Sequence, residues 1–143
     1  MKKEGSSAPV WLIRLLVGWV FLVEGVLKFM LPEDLGPGRF AAIGFPAPHA
    51  AAIFVGIVEV VCGAMVLAGL YTRVAALLLL IDISVAIVST KIPILLGHGF
   101  WRFGLPKLKH YGLFSMLHEA RTDISMFLGL VFLLITVSGS RKK

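Results

Sequence analysis

The chain has 143 residues, of which 58% are hydrophobic and 15% charged, with a formal net charge of +6. Its mean hydropathy is +0.93. A soluble domain of this length needs far more polar surface, so the composition excludes that class and implies a single integral membrane domain. Nucleic acid is excluded as a partner: no soluble module is left to bind it, and the cations gather where lipid headgroups lie.

The elements follow in chain order. A first apolar run covers about residues 10–31 and ends before Pro32. Met1-Lys2-Lys3 ahead of it is similar to a signal-peptide start, but the run is too long for an h-region and contains Arg14 and Glu24. It reads as a retained first transmembrane helix. A second span is predicted over about 49–70, after Phe45-Pro46-Ala47-Pro48, where a proline can open a helix. The third covers about 71–92 and is expected to stop at Pro93, and the fourth covers about 122–138. Some 20 residues at a rise of about 1.5 Å cross a hydrocarbon core of about 30 Å. The predicted fold class is therefore all-α integral membrane, an antiparallel four-helix transmembrane bundle occupying residues 1–143.

Spans two and three are joined through Gly69-Leu70-Tyr71-Thr72-Arg73, which predicts a tight helical hairpin. The connection 93–121 is long and mixes Phe100, Trp101, Phe103, Tyr111 and Phe114 with Arg102, Lys107 and Lys109. Aromatic and basic residues in one segment predict a stretch lying at the membrane surface. Four spans put both termini on one side. The compact clusters Lys2-Lys3 and Arg141-Lys142-Lys143 favour the cytoplasm for that side.

Three acids, Glu24, Glu59 and Asp82, fall inside the first three apolar runs. A charge at that depth costs roughly 2.5–3.5 kcal/mol on insertion scales, so such residues turn toward protein or a wet cavity. At about 100° per residue, Arg14, Gly18, Phe21, Gly25 and Lys28 share one face of span one, with Glu24 at its edge. Ala52, Gly56, Glu59 and Gly63 share a face of span two, and Ala75, Asp82, Ala86 and Ser89 one of span three. Small residues around each acid allow close helix approach, so the three faces are expected to meet. Glu24 and Lys28 form an i,i+4 pair. In span four, Asp123 lies opposite a stripe of Ser125, Gly129 and Thr136. A buried network of this kind fits either helix registration or a ligand, proton or redox role.

Other residues narrow the chemistry. Cys62 is the only cysteine, which excludes an intramolecular disulfide and a CxxC pair and suits a small buried hydrophobe. His49, His98, His110 and His118 lack the facing, matched spacing of metal or haem ligands, so neither cofactor is expected.

The order Arg14-Leu15-Leu16, Gly18, Phe21, Glu24-Gly25, Lys28-Phe29, then Gly44-Phe45-Pro46-Ala47-Pro48, Gly56-Ile57-Val58-Glu59, Gly63, Gly69-Leu70 and Thr72-Arg73 resembles the DoxX family of small membrane proteins. His118-Glu119-Ala120-Arg121-Thr122-Asp123 followed by Met126 and Leu128-Gly129 is similar to the fourth-helix entry of one subgroup. The resemblance implies a four-helix bundle in the bacterial cytoplasmic membrane. Because the family is named for a subunit of a thiosulfate:quinone oxidoreductase, it also implies sulfur, thiol or oxidative-stress chemistry beside soluble partners.

Three functions follow as alternatives. In the redox reading the bundle binds a quinone; Glu59, Asp82 and Glu24 carry the protons, while Lys28, Arg14, Arg121 and Asp123 hold the substrate. The chain shows no electron carrier, so electrons then come from a soluble redox enzyme or pass directly from substrate to quinone. In the transport reading the same acids line a proton or solute path through a homo-oligomer. In the scaffold reading the aromatic–basic connection docks soluble enzymes and the bundle has no chemistry of its own.

Overall fold

The computed structural model describes residues 8–138. Lys2, Lys3, Arg141, Lys142 and Lys143, which set the expected orientation, lie outside the described residues. Three helices in the described chain are long and apolar enough to cross a membrane: Pro9–Met30, Pro48–Ala68 and Thr72–Leu96. They correspond to the first three predicted spans within a few residues at each end. The described residues contain no strand beyond one isolated bridge between Phe100 and Phe103.

Helix α1 (Ala8–Met30) is followed by a short helix α2 (Pro37–Ile43) and then by α3 (Pro48–Ala68). The sequence reading had assigned no element to α2. Pro37 and Pro48 both stand in the first turn of their helices, where a missing N–H costs nothing and the fixed φ is already helical. Helix α3 ends in a Schellman turn: Leu70 N–H donates to the Met65 carbonyl at 2.9 Å and Gly69 N–H to that of Val66 at 3.2 Å. Gly69 has φ +75°, the left-handed conformation that glycine enters without strain. The turn delivers the chain directly into α4 (Thr72–Ala86), producing the predicted hairpin.

The third span departs from expectation. It does not stop at Pro93 but runs from α4 through a π-helical turn (Ile87–Lys91) into α5 (Ile92–Leu96). Across the turn Ile92 N–H reaches the Ile87 carbonyl, five residues back. Pro93 then falls in the first turn of α5, where its missing donor and ring are tolerated. The hydroxyls of Ser89 and Thr90 donate to the Ala86 carbonyl at 3.3 and 2.6 Å. We expect Pro93→Ala to leave the span helical and to change stability by about 1 kcal/mol or less. Circular dichroism and unfolding in mixed micelles would check this; loss of the helical signal would contradict it.

Helix α6 (Leu113–Glu119) and helix α7 (Arg121–Ser138) complete the chain. Helix α1 packs along α3, α3 against α4, and α7 lies against α4 and α1. The first contact is made by glycines: a Cβ on Gly25 would sit 2.8 Å from the Gly56 carbonyl oxygen, and one on Gly63 2.8 Å from the Leu22 nitrogen. Val17, Phe21, Cys62, Val66, Ala75, Leu79, Leu130 and Leu133 form the buried core. Helix α7 therefore turns Met126, Leu130 and Leu133 inward, with Asp123 one turn before them. Ser125 and Thr136 satisfy their hydroxyls on carbonyls of their own helix, so they need no interior partner.

All short helices lie at the same end of the long ones. There Phe45 stacks on Phe40 and meets Phe103 edge-on, with ring centroids 4.9 and 5.2 Å apart. The Phe100–Phe103 bend is tied to α2 by the Arg102 Nε donation to the Gly44 carbonyl and by Gly104 N–H to that of Ile43. This aromatic cluster and α2 roof the space between the long helices.

Candidate functional site: a charged cavity within the helices

Beneath that roof is a cavity of about 290 Å³. Its walls are apolar where Val20, Phe21, Val55, Ile83 and Met126 contribute, and charged where seven side chains converge. Four are acids, Glu24, Glu59, Asp82 and Asp123; three are cations, Lys28, Arg39 and Lys91. Five helices and the π-helical turn bring them together: α1 carries Glu24 and Lys28, α2 Arg39, α3 Glu59, α4 Asp82, the turn Lys91 and α7 Asp123.

The central contact joins α1 to α3. Lys28 Nζ donates to Glu59 Oε1 at 2.7 Å, and both side chains are close to fully buried, at 11% and 8% exposure. Gly25 and Gly56 let the two backbones approach and so set the length of this bridge. Glu24 stands 4.0 Å from the same ammonium but is half exposed, so it lies at the rim of the network. From α4, the Asp82 carboxyl lies within hydrogen-bonding reach of Glu59 and within electrostatic range of Lys28 and Asp123.

A second bridge spans α7 and the π-helical turn. Lys91 Nζ is 2.8 Å from Asp123 Oδ2 and also donates to Thr90 Oγ1 at 2.9 Å. Asp123 Oδ2 has no hydrogen-bond partner among the described residues, so this contact is an ion pair without hydrogen-bond geometry. Lys91 is the member of the cavity that the sequence reading left out of the site. On a straight α-helix it falls about 180° around the axis from Asp82, at about 100° per residue. The wider π-turn rotates it back toward the interior, and no signal in the sequence announces that turn beyond Pro93. Arg39 was missed for a related reason, since it rides on the unassigned α2.

Of the residues expected to share one site, Glu24, Lys28, Glu59, Asp82 and Asp123 are brought to the cavity. Arg14 and Arg121 are not. The Arg14 guanidinium packs over Gly69 at the opposite end of α1, with Nε buried and lacking a hydrogen-bond partner among the described residues. Arg121 is exposed and donates to the His118 carbonyl at 2.6 Å. Arg14 is held off by its depth along α1, whereas Arg121, although next to the cavity-lining Thr122 and Asp123, turns out to the exposed surface.

The histidines lie outside the cavity. His49 lines a small space beside Phe29 and Pro32, His98 sits 2.8 Å from the Gly99 carbonyl, and His110 and His118 share a surface groove. Among the described residues, no three His, Cys, Asp or Glu side chains are grouped to hold a metal ion. Cys62 is buried in the core between α3 and its neighbours.

The comparisons with known proteins bear on the whole arrangement. The chain is 52% identical to an uncharacterized membrane protein of Mycobacterium tuberculosis over 147 aligned residues, covering 94% of this chain and 86% of the relative. No solved structure matches it significantly. The DoxX family model matches residues 10–92, the segment that contributes α1 to α4, the π-turn and all of the central bridge. The chain is a membrane protein of the DoxX family.

Proposed function

We propose that this protein is a quinone-linked redox component of the bacterial cytoplasmic membrane, handling sulfur or oxidative-stress chemistry with a soluble redox enzyme. In this reading α7 crosses as the fourth span of an antiparallel bundle, and both termini are cytoplasmic. The observation that carries the proposal is the cavity itself: Lys28, Glu59 and Asp82 meet inside helices long enough to span a bilayer. A structural pin needs two of these charges, not a lined space beside them.

The residues fit a quinone head. The volume is near the lower end of the range for small-ligand pockets, about 300 Å³, enough for a ring but not for its isoprenoid tail. The walls are apolar, and an ammonium and carboxyl groups stand ready as partners for carbonyl oxygens. A quinone, when bound, supplies a two-electron acceptor that takes up protons as it is reduced.

The chain's own side chains then have distinct tasks. Lys28 orients an oxygen by donating to it while holding Glu59 in place. Glu59 and Asp82, within reach of each other, hold a proton between them and deliver it at that oxygen. The carboxyl of Glu24, half exposed at the rim, returns a proton from outside. The electrons come from the sulfur donor, either directly or through the partner enzyme.

Reconstitution with thiosulfate or sulfide as donor and decylquinone as acceptor tests this. We expect Glu59→Gln and Asp82→Asn each to slow quinone reduction about tenfold to hundredfold relative to wild type, in line with loss of a general acid. Equal rates in all three proteins would remove the acids from the chemistry.

A further inference from the structure

Outside the cavity, a surface groove of about 550 Å³ is formed by the end of the long connection and α6. Its polar lining is Lys109, His110, Ser115, His118 and Glu119, and its apolar lining is Leu108 and Phe114. We propose that this groove is a binding site for the headgroup of an anionic phospholipid, with Phe114 against the start of an acyl chain.

The position supports a lipid. Helix α6 lies between α5, which ends the third long helix, and α7, which begins two residues after α6 ends. The groove is therefore at the end of the apolar spans, at the level where phosphate groups stand. The exposure pattern also supports it. Phe114 is 83% exposed and Trp101, on the same connection, 77%, while Leu113 and Leu117 of α6 are also exposed. Rings and aliphatic side chains in that position meet the boundary between headgroup and acyl chain.

The charge fits the same ligand. Lys109 supplies a permanent cation, Ser115 a hydroxyl, and His110 and His118 ring N–H donors, a set suited to the oxygens of a phosphodiester. Glu119 opposes them at one edge. The surrounding connection adds Arg102, Lys107 and Arg121, so cations outnumber this one acid between residues 97 and 121. A zwitterionic lipid gains less from such a surface, which makes the site selective for a net negative headgroup.

Native mass spectrometry of the full chain in detergent, with phosphatidylglycerol or phosphatidylcholine added, reads the preference directly. Wild type is expected to retain phosphatidylglycerol several-fold over phosphatidylcholine. Lys109→Gln with His118→Gln is expected to reduce that preference about fivefold or more. Both positions are exposed, so the fold should be unaffected. Equal retention of the two lipids by wild type, or an unchanged preference in the variant, overturns the proposal. Displacement of phosphatidylglycerol by millimolar inorganic phosphate would assign the groove to a free anion instead.

A spin label at Phe114→Cys supplies an independent readout, since Cys62 is buried. In vesicles containing phosphatidylglycerol the label should be more accessible to oxygen than to a water-soluble nickel complex. The reverse order would leave the groove facing water, a surface for a soluble partner, and would sink the lipid assignment. Neither measurement uses quinone activity, so each outcome stands apart from that of the redox proposal.

Discussion

Lys28→Met is expected to destabilise the protein by about 3–5 kcal/mol, the usual consequence of leaving one half of a buried ion pair without its partner. Among the described residues Glu59 has no other cation within 4 Å, and its side chain is 8% exposed, so water cannot substitute for the lysine. Unfolding in mixed micelles with increasing dodecyl sulfate measures the loss. The double variant Lys28→Met/Glu59→Gln should recover most of it, because replacing both members of a buried pair is close to neutral. A single variant as stable as wild type would show that Glu59 is solvated or neutral in the folded protein. The Lys91–Asp123 bridge is more exposed and not directional, so Lys91→Met should cost less, about 1–2 kcal/mol.

Gly63→Leu should be comparably severe, for a steric reason. A Cβ at Gly63 meets the Leu22 nitrogen at 2.8 Å and the Gly18 carbonyl oxygen at 3.0 Å, and neither can move without moving α1. Backbone has no rotamer to escape into, so the helices must separate, which loosens the packing around Val17, Phe21 and Val66. The expected cost is about 3 kcal/mol, toward the upper range for overpacking. Gly104→Ala is the control: nothing lies within 4 Å of its Cβ position, and it should shift stability by less than about 0.5 kcal/mol. If both variants unfold alike, the close approach of α1 and α3 is not what holds the bundle together.

The difference between these glycines was partly visible before any coordinates. Gly56, Glu59 and Gly63 share one helical face at i, i+3, i+7, and that periodicity predicted the buried surface of α3 correctly. The same phase argument placed Gly18, Gly25 and Lys28 on the inner face of α1. It worked because both helices are regular from end to end. It failed where regularity fails. Pro93 suggested a stop, yet the backbone absorbed it by widening one turn upstream, where the Ser89 and Thr90 hydroxyls bond back to the Ala86 carbonyl. Ser125 and Thr136 marked a polar stripe on α7, but hydroxyls that bond back to their own helix carry no information about which face is buried. Arg14 lies on the inner face of α1 by phase, yet depth along the helix separates it from the cavity. The short helix α2 is a matter of tertiary closure over the cavity, and its seven residues are too few to show a period.

The π-helical turn has a consequence for how relatives of this chain should be compared. A widened turn is equivalent to one residue inserted into a continuous helix, so a relative lacking that residue would align with a single gap near positions 87–91 and show no loss of hydrophobicity. Its helix would still cross the membrane. Everything beyond the gap, however, would be rotated by about 100°. A lysine conserved in the alignment at position 91 would then point toward lipid, and an aspartate at 123 would have lost its counter-charge. Identity at those two columns therefore says little by itself; the length of the segment between Asp82 and Pro93 decides whether the second bridge can exist.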